Sequence, residues 1–454
     1  MLSRLKLFFT FFDSRFEDFD PTNWKSILYR DFSAGLIVAL TAIPMAMGFA
    51  MAMGMRPEQG IIAGALACLV GRTFGGSKYQ VYGPTAAFIP LLAAIFAKYD
   101  HGMLVAVSII AGVVLMVLGL LGMGRVAKLV PNSIIVGFTV GIGVSIALTN
   151  LDSLLGIKLA DKSLLKVITG VASNLGSLNL FALIIGLMTF LMTRHLLRIS
   201  IFIPAPLLAM AAATLLAATA FKGHGLTLIK DQYGSIPNNF FVFTPPSLPA
   251  LTPGVLMDMA YYVVAIVFVS GVESLLCSSM ADRLANNKKT PFDPNKEFWG
   301  QGLVQIITPL CNGFPCTGAL ARTATSIKSG AVTPLAGYFK FVLKLSLAYF
   351  LARYLELVPM ACIGGILLWV STNMVKVPEI KRVWSTGRAH GLLMAYTAVM
   401  VPATDFLTGV LSALVIYAIF RKNFAPEEEE QPASAPTMVE EPVASLVGAE
   451  HGGI

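Results

Sequence analysis

Long apolar segments recur along almost the whole chain, and they constrain its fold more than any other feature of the sequence. A run of about 20 apolar residues is long enough for a helix to cross the hydrocarbon core of a bilayer. Composition agrees, because 56% of the 454 residues are hydrophobic and only 13% are charged, with a mean hydropathy of +0.74. The sequence therefore predicts an all-α polytopic membrane protein and argues against a soluble enzyme.

The apolar segments form two groups of seven, separated by a polar loop at 221–253. The first group lies at 33–54, 58–74, 84–98, 103–123, 132–149, 178–197 and 201–220, and the second at 255–281, 298–312, 317–327, 332–353, 357–375, 389–404 and 406–420. An odd number of crossings reverses the chain, so the second group enters the membrane upside down. We expect 14 transmembrane segments as two inverted seven-segment repeats, at 32–220 and 254–422.

The third segment of each group is interrupted by glycine, proline and threonine. These two chain breaks are Val81–Pro90 (VYGPTAAFIP) and Gly313–Thr323 (GFPCTGALART). Each predicts extended backbone that turns into a half-helix whose first N–H groups lack intrahelical partners. Such backbone is tolerated at membrane depth only where protein or a watery cavity satisfies it. Paired breaks in corresponding halves, at segments 3 and 10, are typical of a transporter that binds its substrate near the bilayer midplane.

The starts of the two half-helices predict an anion site. Each helix N-terminus carries roughly half a positive charge and offers free N–H donors. Arg322, about one turn into the second half-helix, adds a full positive charge. Its alternative role is structural, bonded to backbone carbonyls or to Glu273. The expected substrate-binding residues are Thr85, Ala86, Ala87, Phe88, Thr317, Gly318, Ala319, Leu320 and Arg322.

Glu273 is the only charged residue in the run 263–276. A charged side chain at the bilayer centre costs roughly 2.5 to 3.5 kcal/mol on insertion scales, so Glu273 needs a proton, a sodium ion or Arg322 as its partner. We expect Glu273 to hold the coupling ion, with Ser274 and Cys277 beside it; a structural ion pair is the alternative. No other metal site or cofactor is expected, because Cys311 and Cys316 lack zinc-like partners.

Lys340 and Lys344 lie one turn apart in the eleventh segment. The sequence leaves three roles open for them. They can snorkel to the membrane surface, pair with Glu273 or Asp405, or contact an anion directly.

Lysine and arginine in the loops predict the orientation. With a cytoplasmic N-terminus, the basic clusters within 72–78, 125–128, 194–198, 283–296 and 376–388 all fall on the cytoplasmic side. An even number of segments returns the C-terminus to the same side. The net charge of +8 then reflects these loops and gives no reason to expect a nucleic-acid partner.

The two termini differ from the apolar body of the chain. Residues 1–31 are charged and amphipathic, which predicts a segment along the cytoplasmic surface and argues against a cleavable signal peptide. Residues 423–454 are acidic and rich in proline and alanine, which predicts a disordered tail.

Most of residues 30–420 resembles the SulP sulfate-permease family of anion transporters. The motifs that carry the resemblance are Ala42-Ile43-Pro44 with Gly48-Phe49-Ala50, Gly75-Gly76-Ser77, Gly83-Pro84-Thr85, Glu273-Ser274-Leu275-Leu276, Arg322-Thr323, Ser329-Gly330 and Thr333-Pro334-Leu335-Ala336-Gly337. The first helices and Glu273 to Asp282 are most similar to the bacterial branch that includes cyanobacterial bicarbonate carriers.

The resemblance implies a core domain made of segments 1–4 and 8–11 and a gate domain made of the rest, with elevator or rocking movement between them. It implies transport, with no enzyme activity, in the bacterial inner membrane. Bicarbonate uptake coupled to sodium or protons is the first expectation, and a dicarboxylate or sulfate carrier or exchanger is the second. An uncoupled anion channel and a nucleobase permease are the alternatives of other classes, although Arg322 favours an anion.

Three departures from the family pattern modify this expectation. Cys277 and Leu320 replace hydroxyl residues that help to hold sodium in bicarbonate carriers, which favours protons because a hard cation prefers oxygen ligands. Met45 replaces a glutamine common in sulfate-carrying members and leaves a more apolar pocket.

The tail at 423–454 is too short for the cytoplasmic STAS domain of roughly 100 residues. We therefore expect membrane lipid, a homodimer through the membrane part and a separate cytoplasmic regulator as partners.

Overall fold

The computed structural model describes residues 8–10, 13–19, 22–124, 130–157, 164–237, 239–404, 406–421 and 424. Asp405, the loop cluster within 125–128 and, apart from Phe424, the predicted tail lie outside the described residues. The described part is mostly helical, as the apolar segments predict. The fold is that of a polytopic helical membrane protein.

A helix occupies each apolar segment of the first half. The helices are α1 (Trp24–Ala52), α2 (Pro57–Phe74), α3 (Ile89–Lys98, preceded by a 3-10 turn at Ala86–Phe88), α4 (His101–Leu121), α5 (Asn132–Thr149), α6 (Leu151–Leu155), α7 (Leu164–Ser173), α8 (Leu180–Ile199) and α9 (Ala205–Ala218). Short 3-10 turns also occur at Ser14–Phe16 and Leu175–Ser177.

The second half follows a loop that contains α10 (Ile229–Tyr233). Its helices are α11 (Pro253–Leu284), α12 (Pro294–Leu310), α13 (Leu320–Lys328), α14 (Leu335–Leu355), α15 (Met360–Met374), α16 (Val377–Thr386), α17 (Arg388–Ala403) and α18 (Phe406–Ile419). In the described part of the chain, seven helical stretches are long and apolar enough to cross a membrane, and three shorter apolar helices accompany them.

Several helix starts follow directly from local sequence. Asp293 accepts hydrogen bonds from the amides of Asn295 (2.8 Å) and Lys296 (3.3 Å), and Pro294 occupies the first turn of α12. Asp100 caps α4 in the same way through the amide of Met103 at 2.9 Å. These side chains satisfy N–H groups that have no intrahelical partner.

The first helix begins earlier than the apolar pattern indicates. It starts at Trp24, inside the segment 1–31 that we expected to lie along the membrane surface. The turns of α1 that precede the apolar segment are held in place by Asp31. This residue is fully buried and accepts hydrogen bonds from the amides of Val332 (2.7 Å) and Thr333 (3.2 Å). A contact with a residue some 300 positions away has no local signal, so the apolar pattern alone marks only the later part of this helix; the location of residues 1–31 along the membrane surface stays a prediction.

The helices pack most extensively in two sets. In one set α12 packs against α2 and α4, and α14 packs against α1 and α2. In the other, α17 packs against α5 and α18, and α15 packs against α8. Large apolar side chains on α8, α9, α14, α17 and α18 remain exposed, among them Leu191, Leu215, Phe350, Val399 and Val415. Such a surface is expected of helices that face lipid.

Candidate functional site

The two chain breaks meet in a two-stranded antiparallel sheet. Strand β1 (Tyr82–Gly83) pairs with β2 (Thr317–Gly318), with Tyr82 opposite Gly318 and Gly83 opposite Thr317. The amide of Ala319 extends the pairing by donating to the Val81 carbonyl at 2.9 Å. Because the strands are antiparallel, the half-helices that follow them leave the sheet in opposite directions. The sheet therefore brings the starts of α3 and α13 together, although more than 200 residues separate them in sequence.

Side chains from distant helices satisfy the irregular backbone of the first break. Lys340 donates to the Tyr82 carbonyl at 2.9 Å, and Arg322 donates through Nη2 to the Pro84 carbonyl. The amide of Val81 donates to Thr323 Oγ1 at 2.8 Å. All three bonds lie in buried surroundings, where an unpaired backbone group is costly.

The second break is held in a similar way from α12. Gln301 and Gln305 both donate to the Cys316 carbonyl, Gln305 at 2.7 Å, and Gln305 Oε1 accepts from the Cys316 amide at 3.3 Å. The hydroxyl of Thr317 donates to the Ser270 carbonyl at 3.3 Å. The protein thus supplies the hydrogen bonds that a helix would otherwise make at these positions.

The expected substrate-binding residues lie together at the two half-helix starts, but their polar groups are not all free. Thr85, Ala86, Ala87 and Phe88 are buried before α3, as are Thr317, Gly318, Ala319 and Arg322 around the start of α13, whereas Leu320 is half-buried. The Ala319 amide and the Thr317 hydroxyl already have protein partners. The Phe88 amide makes a long bond of 3.4 Å to the Thr85 carbonyl. The remaining amides of the first turns are those that helix geometry leaves without intrahelical partners.

Gly318 is required by the close approach of Gln80. A Cβ at this position would lie 2.5 Å from the Gln80 side-chain carbon. The absence of a side chain at Gly318 therefore allows the two halves of the chain to pack closely, and it also leaves room for a ligand to approach the backbone.

Glu273 lies next to the first half-helix. Its Oε2 accepts a hydrogen bond from the Thr85 hydroxyl at 2.9 Å, and the residue is partly exposed. Among the described residues, no carboxylate forms an ion pair with Arg322, whose Nη1 is buried without a hydrogen-bond partner. Arg322 therefore bonds to a backbone carbonyl through one nitrogen while its other terminal nitrogen stays unpaired.

Ser274 and Cys277, expected beside the coupling ion, have partners of their own. The Ser274 hydroxyl donates to Glu297 Oε1 at 2.5 Å and accepts from Gln80 Nε2 at 2.8 Å. Cys277 Sγ lies 3.3 Å from Thr323 Oγ1. Of the three residues, Glu273 is the one whose carboxylate lies beside the half-helix start.

Glu297 organises a polar cluster that sequence reasoning missed. It is fully buried on α12 and accepts from the amides of Gly76 (2.9 Å) and Ser77 (3.2 Å), from Ser274, and from Tyr82 Oη at 2.8 and 2.9 Å. Gln80 Nε2 adds a further bond at 2.8 Å. A signal was present: Glu297, Gln301 and Gln305 recur every four residues, which places three polar side chains on one face of a membrane helix.

Of the roles left open for Lys340 and Lys344, the structure argues against snorkelling and against pairing with Glu273, whereas pairing with Asp405, which lies outside the described residues, and direct contact with an anion stay predictions. Both are fully buried, so they do not snorkel, and neither forms an ion pair with a carboxylate in the described residues. Lys344 Nζ lies 3.4 Å from the Gly60 carbonyl and fills the space beside Gly64, where a Cβ would come within 2.2 Å of it. The described residues contain no group of three or more His, Cys, Asp or Glu side chains able to hold a metal ion.

Comparison with known proteins identifies related sequences over most of the chain. The sulfate permease family matches residues 28–397. The putative sulfate transporter YvdB of Bacillus subtilis is 34% identical over 414 residues, which cover 90% of this chain and 76% of that protein. The bicarbonate transporter BicA of Picosynechococcus is 25% identical over 394 residues, covering 84% of this chain and 68% of that protein.

Solved structures show the same fold. The transmembrane domain of a cyanobacterial bicarbonate transporter BicA superposes with a TM-score of 0.73 at 23% identity, covering 85% of this chain and 97% of that one. The structure of SLC26A9 gives a TM-score of 0.79 at 17% identity, covering 92% of this chain and 68% of that one. Family match, identity and fold agree, and the chain therefore belongs to the sulfate permease family of membrane anion transporters.

Proposed function

We propose that this transporter binds a small oxyanion between the starts of α3 and α13 and carries it by secondary active transport. The observation that carries the proposal is the β1–β2 pairing, which joins two positively polarised helix starts beside the buried Arg322. Two such starts and a guanidinium suit an anion and disfavour a cation or an uncharged nucleobase. Bicarbonate remains the first candidate for two reasons. Met45 leaves a more apolar pocket than the glutamine common in sulfate-carrying members, and the chain is similar to BicA.

We further propose that Glu273 binds the coupling ion. Thr85 bonds to Glu273 and immediately precedes the first half-helix, so the cation and the anion would occupy adjoining sites. The Ser274 hydroxyl is already bonded to Glu297, which leaves few oxygen ligands for sodium and favours a proton. No other cofactor is part of the proposal.

The proposed architecture is the 14-segment pair of inverted repeats, with half-helices at segments 3 and 10. The packing of α12 and α14 against α1, α2 and α4 supports a core domain, and the packing among α5, α8, α15, α17 and α18 supports a gate domain. Movement of core against gate by an elevator mechanism would carry the site across the membrane. Inner-membrane location, cytoplasmic termini, bound lipid, a homodimer and a separate cytoplasmic regulator complete the proposal.

Uptake into proteoliposomes tests the function directly. Labelled bicarbonate, sulfate and fumarate are offered under imposed sodium or proton gradients to the wild type and to Arg322→Ala, with Arg353→Ala at the exposed end of α14 as the matched control. Saturable uptake of one anion that follows a gradient and is lost only in Arg322→Ala is expected. Gradient-independent flux would indicate a channel, and competition by uracil would indicate a nucleobase permease.

The coupling assignment has its own test. Glu273→Gln keeps the shape of the side chain but removes its ability to ionise. Uptake should then lose its dependence on the proton or sodium gradient while anion binding persists. Unchanged gradient dependence in the folded variant would exclude Glu273 as the coupling residue.

Sulfate is the second candidate, and a specific observation favours it. Two lysine side chains, Lys340 and Lys344, are buried next to the first break in addition to Arg322. In their protonated form they suit an anion with two negative charges better than one with a single charge.

A further inference from the structure

The short helix α16 lies along one membrane face of the proposed gate domain. Its inner side is anchored by Val383, which is 3% exposed and packs against α5 and α17. Gly137 of α5 lies beside Met394 of α17, and further along both helices Gly141 lies beside Val401. The two helices therefore run in the same direction and begin at the same face, which is the face that α16 covers.

The end of α8 lies at this face as well. Gly186 of α8 lies beside Ala361 of α15, and further along both helices Thr189 lies beside Gly365, so α8 ends on the side where α15 leads into α16. Within 194–199 and 376–388, all of them described, six basic side chains are exposed and one carboxylate is present. The carboxylate, that of Glu379, pairs with Lys376 at 2.8 Å. The basic residues are Arg194, Arg198, Lys376, Lys381, Arg382 and Arg388.

The outer side of α16 combines this positive charge with exposed apolar groups. Val377, Lys381 and Trp384 are spaced by four and three residues, which places them in one stripe along a helix. Val377 is 55% exposed and Trp384 is 46% exposed. The Trp384 ring packs over the backbone of Gly391 at the start of α17, where no space is left for a Cβ. The ring therefore has a fixed position beside the gate helices.

A stripe of this composition suits the boundary between lipid tails and headgroups. Tryptophan is enriched at that depth, and a lysine there keeps its stem on apolar surface while its ammonium group reaches the headgroups. A basic helix with exposed apolar residues is typical of segments that lie in the plane of the membrane surface. A face exposed only to water would have no reason to present a tryptophan and a valine on either side of a lysine.

We infer that α16 is a binding site for anionic lipid headgroups, with Trp384 and Val377 at the acyl boundary and Lys381 against the lipid phosphate. The excess of basic side chains at this face is complementary to a headgroup with net negative charge and gives no preference for a zwitterionic one. The inference rests on the proposed function, because it gives the bound lipid a site and a headgroup class. Lipid bound here anchors the gate domain while the core domain moves.

Thermal stabilisation of the purified full-length protein in detergent measures this binding without transport. The probes are short-chain phosphatidylglycerol, short-chain phosphatidylcholine and glycerol phosphate. Phosphatidylglycerol should stabilise the wild type at concentrations where the other two do not. Equal stabilisation by the two lipids would overturn the inference, and so would stabilisation by glycerol phosphate at the same concentration, which would assign the helix to a soluble phosphate.

Substitution of exposed residues tests the site itself. Lys381→Gln should raise the half-maximal phosphatidylglycerol concentration about fivefold, and Lys381→Gln combined with Arg388→Gln about 25-fold. Lys230→Gln removes an equally exposed lysine from α10, in the loop between the two halves, and should leave the value unchanged. The same response in Lys381→Gln and Lys230→Gln would exclude α16 as the site. A loss of stability in Lys381→Gln that is equal with and without lipid would mean that the helix contacts another part of the chain.

The fluorescence of Trp384 reports where the lipid binds. Phosphatidylglycerol should shift the tryptophan emission of the wild type to shorter wavelengths, because the exposed part of the ring leaves water. Trp384→Phe should abolish the shift. A shift that persists in this variant would place the lipid elsewhere.

The outcomes also separate this inference from the proposed function. Selective stabilisation by phosphatidylglycerol with no uptake of any anion would leave the lipid site standing and remove the function. Gradient-driven anion uptake without selective stabilisation would leave the function standing and remove the lipid site.

Discussion

At the scale of single residues, the site depends on polar side chains that are satisfied deep in an apolar protein. Glu297 accepts six hydrogen bonds from five groups that belong to α11, to the loop between α2 and β1, and to β1. Removing a partner from such a cluster leaves buried groups unpaired, which costs more than one hydrogen bond contributes. This cluster connects α11, the helix that carries Glu273, with the first break.

Glu297→Gln should destabilise the protein by about 3 kcal/mol. The glutamine has one acceptor oxygen, and its NH2 group would face donors, among them the amides of Gly76 and Ser77. The measurement is chemical unfolding in detergent, with Glu379→Gln as the control, because Glu379 pairs with the exposed Lys376 at the surface of the protein. A loss equal to that of the control would show that the cluster is not needed for stability.

Thr85→Val should change coupling without changing the shape of the site. The valine cannot donate to Glu273, and because this hydrogen bond favours the ionised carboxylate, its loss of about 1 kcal/mol should lower the half-saturating proton concentration roughly fivefold. Uptake as a function of pH and sodium concentration measures this change. Thr214→Val is the matched control, because the Thr214 hydroxyl bonds to the Met210 carbonyl of its own helix at 2.8 Å.

At the scale of helices, small residues allow the close approach that a membrane interior requires. A Cβ at Gly60 of α2 would lie 2.0 Å from the Ala46 carbonyl oxygen of α1, which cannot move away without shifting the helix. Packing of this kind, supported by small residues, holds membrane helices together in the absence of water. The apolar pattern predicted where these helices lie but gave no distance between them.

Gly60→Ala should therefore destabilise the contact between α1 and α2 by about 1–3 kcal/mol. Chemical unfolding in detergent checks the prediction, and uptake should fall in parallel because α2 leads into the first break. Gly176→Ala provides the comparison, since nothing lies within 4 Å of a Cβ at that position. Similar stability of the two variants would contradict close packing at Gly60.

At the scale of the whole molecule, the N-terminal segment is attached to the ends of helices from both halves. Arg15 is buried and donates to the carbonyls of Arg72 (3.0 Å) and Gly75 (2.5 Å) at the end of α2. Asp13 accepts from Arg15 and, at 2.6 Å, from Lys296 at the start of α12. The segment therefore bridges α2 and α12, each of which directly precedes the chain break of its own half.

This attachment should depend on pH through Asp13. Burial by itself raises the pKa of the Asp13 carboxyl, but the hydrogen bonds and charges of Arg15 and Lys296 outweigh it and hold the pKa below the usual 3.8. A lowered pKa in the folded state contributes stability above the unfolded-state value and loses it as pH falls through the folded-state value. Asp13→Asn should thus cost about 1 kcal/mol at pH 7 and progressively less as pH falls below about 4.

Unfolding of the wild type and of Asp13→Asn across this pH range checks the prediction. The difference between the two proteins should remain constant from pH 7 to pH 5 and shrink towards zero below about pH 4. A difference that is independent of pH would mean that Asp13 acts through its shape and not through its charge.

The sequence by itself determined the membrane class, the positions of most helices, the two chain breaks and the family. These features are local, because hydrophobicity, proline and glycine act on the backbone within a few residues. The tertiary structure decided which groups meet: Thr85 with Glu273, 188 positions apart, Ser274 with Glu297, and Lys340 with the Tyr82 carbonyl, 258 positions apart. Such pairings have no signal in a single sequence, because the direction and depth of each side chain are set only when separate helices pack against one another.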